Sequence, residues 1–311
     1  MKLLFWGIGI VAAAALIALI AAYICYRKAF QVNKKRLPDP YELLPGEQYE
    51  VYRKETHALL DQTLPLPYED VSILSREGLR LHARYYGFFP GAPVQIMFHG
   101  YRSVAQRDFC GALLLARECG HNALVVDQRA HGESEGRCLT FGILERYDCR
   151  DWANYAAERF GTKILLVGVS MGAATVLMAA ALDLPEQVAG IIADCGYTSP
   201  KEIICKVMRE MHFPEGLVYP AVALGARLFA GFHPEETTAT EAMRSCRLPM
   251  LMFHGEDDRY VPCEMSRVNF AACASPEKQL LTFPGAGHGL SMMVDRERYV
   301  AALRDFYRKI L

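Results

Sequence analysis

The string Gly168-Val169-Ser170-Met171-Gly172 carries the clearest chemistry in the sequence. A serine hydroxyl between glycines, at the end of one apolar strand and the start of one helix, fits a nucleophile elbow. The turn forces the serine into a strained backbone conformation, and only very small residues two positions away avoid collision. The apolar run Ile164 to Val169 precedes the serine, and a helix opening Met171-Gly172-Ala173-Ala174 follows it. The helix N-terminus favours negative charge developing beside Ser170.

A serine nucleophile needs a base, and the base needs an acid to hold its tautomer. Elbows of this kind go with the chain order serine, acid, histidine. Of nine histidines, only His212, His233, His254 and His288 follow Ser170. The string His254-Gly255-Glu256-Asp257-Asp258-Arg259-Tyr260-Val261-Pro262 follows a strand and offers the acids, and His288 alone follows them. His288 lies in Gly285-Ala286-Gly287-His288-Gly289, a loop flexible enough to swing an imidazole over a sheet edge. Asp257 and Asp258 are adjacent, and spacing does not choose between them. An oxyanion hole needs two converging N–H donors. The expected donors are the backbone of Met171 and that of Tyr101, in His99-Gly100-Tyr101 after the strand Val94 to Phe98. His99 is expected to hold that turn, and the bulky Tyr101 side chain to gate the pocket.

Those groups must be positioned by the elements around them. Short apolar runs at Val94 to Phe98, Ala123 to Asp127, Ile164 to Val169, Val188 to Ala193, Met250 to Phe253 and Gln279 to Phe283 read as strands buried on both faces. Helical segments separate them at Asp108 to Cys119, Glu145 to Phe160, Met171 to Leu182, Glu264 to Cys273 and Asp295 to the end. Gly120 and Gly161 sit where helix C-caps belong. Val71 to Leu74 and Leu79 to Tyr86 form a hairpin before the repeats. The outcome is a mostly parallel α/β sheet with helices on both faces. Residues 196–247 are too many for a plain crossover and read as a cap insertion. Its stripe Ile203, Val207, Met208 and Met211 suits either an acyl pocket or packing on the core.

The motifs H-G after an early strand, D-Q-R-A-H-G-E-S-E-G, G-V-S-M-G, H-G-E-D-D-R-Y-V-P and G-A-G-H-G together resemble the α/β-hydrolase superfamily. Within it the chain resembles the serine-aminopeptidase-like and acylglycerol-lipase-like branch, whose bacterial members carry an N-terminal membrane anchor. The resemblance covers residue 68 to the end. It implies the α/β-hydrolase fold, with an eight-stranded sheet and a small helical cap, and it places the triad acid on Asp258. It also implies that Asp127, Arg129, His131 and Glu133 shape a loop beside the site without catalytic duty. The expected site is therefore Ser170, Asp258 and His288 with the N–H groups of Tyr101 and Met171, and the reaction is acyl transfer to water. An aminopeptidase of this fold would need an acid in the cap, for which Glu202, Glu210 and Glu215 are available. A non-catalytic binding protein of the same fold is the remaining alternative.

Leu3 to Tyr26 are 24 consecutive uncharged, mostly apolar residues. As a helix they extend about 36 Å, enough to cross a bilayer core of about 30 Å, and the run is too long for a cleavable signal peptide. The expected organisation is a transmembrane anchor at 1–26, a juxtamembrane tether at 27–67 and the hydrolase domain at 68–311. Lys2 precedes the anchor, whereas Arg27, Lys28, Lys34, Lys35 and Arg36 follow it, so the body is expected in the cytoplasm. Ten cysteines without a C-x-x-C pair suit a reducing compartment. With 34 basic and 35 acidic side chains, the net charge of −1 argues against a nucleic-acid partner. No histidine-rich ligand spacing occurs, so neither metal nor cofactor is expected. Gly7-Ile8-Gly9-Ile10-Val11-Ala12 resembles a dinucleotide fingerprint but has no strand before it. The expected partners are the membrane, through the N-terminal helix, and a small, lipid-derived acyl substrate.

Overall fold

Strands that bury both faces dictate the architecture. In the computed structural model, which describes residues 2–34 and 39–311, eight strands form one sheet. They are β1 (Glu69–Leu74), β2 (Arg80–Tyr86), β3 (Val94–Phe98), β4 (Asn122–Asp127), β5 (Ile164–Val169), β6 (Val188–Asp194), β7 (Met250–Gly255) and β8 (Lys278–Phe283). Their order is β1-β2-β4-β3-β5-β6-β7-β8. The hairpin β1–β2 and the β2–β4 pair are antiparallel, and every later pair is parallel. Lys35, Arg36 and Pro38 lie outside the described residues.

Side-chain alternation divides the core between the two faces. Ile96, Phe98, Leu124, Val126, Ile164 and Leu166 point to one layer, built around Trp152 and the helix Met171–Ala179. Met97, Val125, Leu165, Val167 and Phe253 point to the other, beneath the C-terminal helix Arg296–Ile310. The Met171 helix is buried at every position, which explains why its residues are small or apolar, with three alanines in nine positions. Helices begin and end near the expected positions, except that Asp108 to Cys119 divides into Ala105–Asp108 and Cys110–Glu118.

The insertion forms helices Pro200–Glu210, Glu215–Gly225 and Ala239–Ser245, with a π-helical turn at Ala226–Ala230. Its expected apolar stripe is divided. Ile203 and Met208 are buried, whereas Val207 and Met211 face out. The buried face is completed by Ile204 and Cys205 instead.

One apolar helix, Lys2–Ala29, precedes the domain, and its stretch Phe5–Ala29 is long and hydrophobic enough to cross a membrane, with a mean hydropathy of 2.7. Phe5 through Ile20 are exposed along it, but Ala22, Tyr26 and Phe30 are buried against the domain. The helix lies so close to the cap that a Cβ on Gly225 would stand 2.3 Å from the Ala22 carbonyl oxygen. Phe30 meets Phe232 and Phe141 edge-on, with ring centroids 5.1 and 5.9 Å away. Val32 N–H donates to Arg137 O at 2.9 Å, and Leu139 N–H to Phe30 O at 3.0 Å.

The described residues after this helix do not hang as the expected tether. Helix Arg53–Thr63 packs on Cys110–Glu118 and buries Leu60 completely. Leu59 also reaches the surface of Gly111. The sequence around Tyr49 to Leu60 reads as a short amphipathic run, and its buried side chains Tyr49, Thr56 and Leu60 lie against the domain.

A tether residue could be truncated at almost no cost, whereas emptying a fully buried aromatic site typically costs about 3–5 kcal/mol. Phe30→Ala is therefore expected to destabilise the domain by about 3 kcal/mol, read from denaturant unfolding of the full chain in detergent. A change below about 0.5 kcal/mol, the usual surface value, would show that Phe30 is not part of the core.

Candidate active site

The carboxyl ends of β5, β7 and β8 deliver three side chains to one place. Ser170 follows β5 with φ 55° and ψ −116°, the strained region in which a non-glycine residue persists only when its surroundings hold it. Its N–H donates to Asp194 O at 2.8 Å. Gly168 and Gly172 are required by contact. A Cβ on Gly168 would lie 2.2 Å from the Gly172 carbonyl oxygen, and one on Gly172 would lie 1.7 Å from Phe98 O.

The Ser170 hydroxyl donates to His288 Nε2 at 2.9 Å, and His288 Nδ1–H donates to Asp258 Oδ2 at 2.7 Å. The carboxylate can only accept, so the imidazole proton belongs on Nδ1 and leaves Nε2 free to take a proton from Ser170. Asp258 Oδ1 accepts from the N–H groups of Tyr260 and Val261, each at 2.8 Å, while His254 Nε2 lies 3.3 Å from Oδ2. Burial pushes the Asp258 carboxyl up, but the hydrogen bonds and charge of His254 and His288 outweigh it and hold the group well below the ordinary carboxylate range. Asp257 is exposed, so the open choice between the two acids falls to Asp258 on geometry.

The loop after β3 comes up beside the serine. A Cβ on Gly100 would stand 3.5 Å from Ser170 Cβ. The Gly100 N–H is taken by Asp108 Oδ2 at 2.8 Å, and the next amide in the loop is that of Tyr101, the expected oxyanion donor. Met171 N–H opens the elbow helix on the other side. His99 takes its expected part in the turn: Nδ1–H donates to Gly100 O at 2.8 Å, and Nε2 accepts from Gln128 N–H at 3.2 Å. The Tyr101 side chain, expected as a gate, instead turns away to donate its hydroxyl to Ala29 O at 3.0 Å.

The remaining charged residues of the early motifs are engaged elsewhere. Arg129 binds Asp148 through two nitrogens at 2.6 and 2.7 Å and Glu77 at 2.8 Å. Asp127 accepts from Glu133 N–H at 3.0 Å and contacts His82 at 3.3 Å. In the cap, Glu210 pairs with Lys206 and Glu215 with Arg209, both at 2.6 Å. Glu202 accepts from the Thr198 hydroxyl.

Two residues at the site carry no motif. Tyr49, on the short helix Glu47–Glu50, is buried and donates its hydroxyl to His288 O at 3.1 Å. The neighbouring Gln48 lies where a Cβ on Gly287 would be. Cys195 follows β6 at φ 49° with its sulfur within 4.8 Å of donor atoms of Asp258 and His288. Burial pushes its thiol well above the ordinary range. His288 Nδ1 is already bonded to Asp258, so the hydrogen-bonded chain at the site runs from Ser170 through His288 to Asp258, with Cys195 beside it.

A mostly parallel eight-stranded sheet with a strand–serine–helix turn at its carboxyl edge defines an α/β hydrolase. Residues 95–303 match the Alpha/beta hydrolase family, and the chain belongs to it. It is similar to the uncharacterized protein YqkD of Bacillus subtilis, 24% identical over 61% of this chain, and spans 63% of that relative's length. It is also similar to the alpha/beta hydrolase domain-containing protein WAV2 of Arabidopsis thaliana, 22% identical over 98% of this chain and 94% of that protein. Among solved structures, the Pyrococcus furiosus esterase Pf2001 superposes with a TM-score of 0.65 at 20% identity, covering 80% of this chain and 93% of its own. Mouse alpha/beta hydrolase domain-containing protein 10 does so at 0.58 and 19% identity, covering 78% and 100%. At these identities the likeness is one of fold.

A carboxyl whose folded pKa is depressed contributes stability above its unfolded value, near 3.9, and loses it as pH falls through the folded value. Asp258→Asn removes that contribution. The stability gap between wild type and variant is therefore expected to be widest above about pH 5 and to narrow below about pH 4. Urea unfolding across that range checks it, and a gap that widened in acid would contradict the assignment of a low carboxyl pKa.

Proposed function

We propose that the protein is a membrane-anchored serine hydrolase that cleaves acyl esters or thioesters through an acyl-enzyme. The observation that carries this reading is the continuous hydrogen-bonded chain from Ser170 Oγ to His288 to Asp258, assembled from three loops far apart in sequence. Ser170 Oγ attacks the acyl carbonyl while His288 Nε2 takes its proton. The oxyanion forms between the N–H groups of Tyr101 and Met171. His288 returns the proton to the leaving alcohol or thiol, and Asp258 stabilises the imidazolium throughout. Water, deprotonated by His288, then releases the acid and restores Ser170. A purely binding role would not require the strained Ser170 backbone or a carboxylate held ionised in a buried setting.

Two observations favour esters over aminoacyl amides. Glu202, Glu210 and Glu215, the acids that could hold a substrate amine, are already bonded within the cap. The cap also exposes Leu217, Leu228 and Phe213, at 76%, 56% and 46%, while resting directly on the N-terminal helix. Such a surface beside a membrane span suits acyl chains arriving from lipid. The burial of Tyr26 and Phe30 supports a retained anchor rather than a signal sequence, because cleavage after the apolar stretch would strip side chains from the core. The basic residues beyond the anchor support a cytoplasmic catalytic domain.

Ser170→Ala is expected to abolish covalent labelling by a fluorophosphonate probe and to lower kcat by several orders of magnitude in a folded protein. Asp258→Asn is expected to lower kcat roughly a thousandfold or more, and Asp257→Asn far less. Labelling that persisted in Ser170→Ala would refute the nucleophile.

Substrate class is read from a p-nitrophenyl ester series alongside aminoacyl amides. The highest kcat/KM is expected on medium-length or longer acyl chains. A maximum on acetyl esters or aminoacyl amides would overturn the lipid-derived assignment.

A further inference from the structure

The last turn of any helix leaves carbonyls without intrahelical donors, and the helix dipole makes that end negative. In this chain the N-terminal helix meets that requirement with the loop that faces Ser170. Arg102 donates through one guanidinium nitrogen to Lys28 O at 2.7 Å and to Gln31 O at 2.9 Å. The neighbouring Tyr101 hydroxyl donates to Ala29 O at 3.0 Å. The two side chains also lie together, with the Arg102 guanidinium carbon 5.0 Å from the Tyr101 ring centre. Two consecutive residues of the loop after β3 thus bind the last two carbonyls of a helix more than seventy positions earlier, together with that of Gln31 just beyond it.

The loop needs such a hold. Arg102 adopts φ 48°, a left-handed conformation that costs a non-glycine residue about 1–3 kcal/mol. On one side the loop is secured by Asp108, which accepts from Gly100 N–H at 2.8 Å and from the Ser103 hydroxyl at 2.5 Å. Tyr101 and Arg102 lie between those two attachments, and their side chains find their partners on the helix. The helix end is itself immobilised by Phe30 and by the backbone pairing of residues 30–32 with 137–139. It is therefore a fixed point to which the loop is fastened.

We propose that the C-terminal end of the N-terminal helix is a positioning element of the oxyanion hole, and that Arg102 is the residue through which it acts. Arg102 touches neither nucleophile nor substrate in this role. It sets where the Tyr101 amide points. The proposal rests on the reading of Tyr101 N–H as an oxyanion donor, and it makes the apolar helix part of the catalytic apparatus as well as an attachment.

The test uses the full chain in detergent, comparing wild type, Arg102→Gln, Arg102→Lys and Tyr101→Phe on one water-soluble p-nitrophenyl ester. A donor displaced by about 1 Å costs on the order of a hundredfold, and loss of a donor a hundred- to a thousandfold. Arg102→Gln is expected to lower kcat about ten- to a hundredfold with KM within about twofold. Affinity for a trifluoromethyl ketone, which forms an oxyanion on Ser170, should fall in parallel. Arg102→Lys, which keeps a cation for the same carbonyls, should recover part of both losses. Tyr101→Phe, which removes one hydroxyl bond and keeps the ring packing, should show the same pattern more weakly.

An unchanged kcat in folded Arg102→Gln would overturn the proposal. So would a loss of kcat without a matching loss of ketone affinity, because the defect would then lie outside the oxyanion hole. Should Arg102→Gln fail to fold, Tyr101→Phe decides alone by the same two readouts. Fluorophosphonate labelling of wild type and Ser170→Ala in parallel separates the outcomes. If Ser170→Ala still labels, the hydrolase reading has failed. If it does not label and Arg102→Gln is unaffected, only the helix link has failed.

Discussion

The active site depends on how closely the first turn of the elbow helix lies against the end of β3. No side chain fits between them, since a Cβ at Gly172 would overlap the Phe98 carbonyl and stand 2.8 Å from that of His99. This contact brings the loop after β3 alongside Ser170, where a Cβ on Gly100 would stand 3.5 Å from the Ser170 Cβ. For the contact to exist, the largely apolar strands β3 and β5 must sit side by side and in register, Phe98 opposite Gly168. The strain at Ser170 persists because packing of this kind leaves the turn no alternative.

The second demand is the maintenance of a buried negative charge. An ionised carboxylate removed from water is costly unless its oxygens are fully bonded. Asp258 satisfies this with the N–H groups of Tyr260 and Val261 on one oxygen and the two imidazoles on the other. His254 is in turn held by the Ser266 hydroxyl at 2.6 Å and by Val261 O at 2.8 Å. The whole string from His254 to Val261 therefore acts as one device, in which the first residue braces the fifth and the backbone of the last two completes the shell.

The legible parts of this design are those written as local patterns. The elbow, the order serine, acid, histidine, and the apolar strands are all contiguous signals, and the structure brings Ser170 and His288 together as their positions imply. The choice between Asp257 and Asp258 was not open to spacing, because it turns on which carboxyl the Tyr260 and Val261 amides capture. Tyr49, Arg102 and Cys195 left no mark for a different reason. Each acts through a contact with residues distant in the chain, and a single buried tyrosine or a surface-type arginine has no periodicity to betray it. The same cause made the segment after the N-terminal helix read as a tether. Phe30, Tyr49 and Leu60 lie in a stretch with many charged and polar residues, and each is buried only because it meets surfaces of the distant domain.

The N-terminal helix shows how one apolar run can carry two assignments. Hydropathy does not distinguish a residue facing lipid from one facing protein, so Leu3 to Tyr26 reads as a uniform span. The structure divides it: the side chains from Phe5 to Ile20 are exposed, whereas Ala22 and Tyr26 are buried, a stripe that Phe30 continues just beyond the helix. A helix is stiff over that length, with its backbone bonds all internal. A span in the bilayer would therefore share a rigid axis with the turn that meets Arg102 and Tyr101, with the cap helix at Gly225, and with Phe141 beneath the loop. In the proposed reading, membrane attachment and alignment of the loop after β3 would be properties of a single element, and a change that moved the helix against the domain would reach Tyr101 and Arg102 before Ser170.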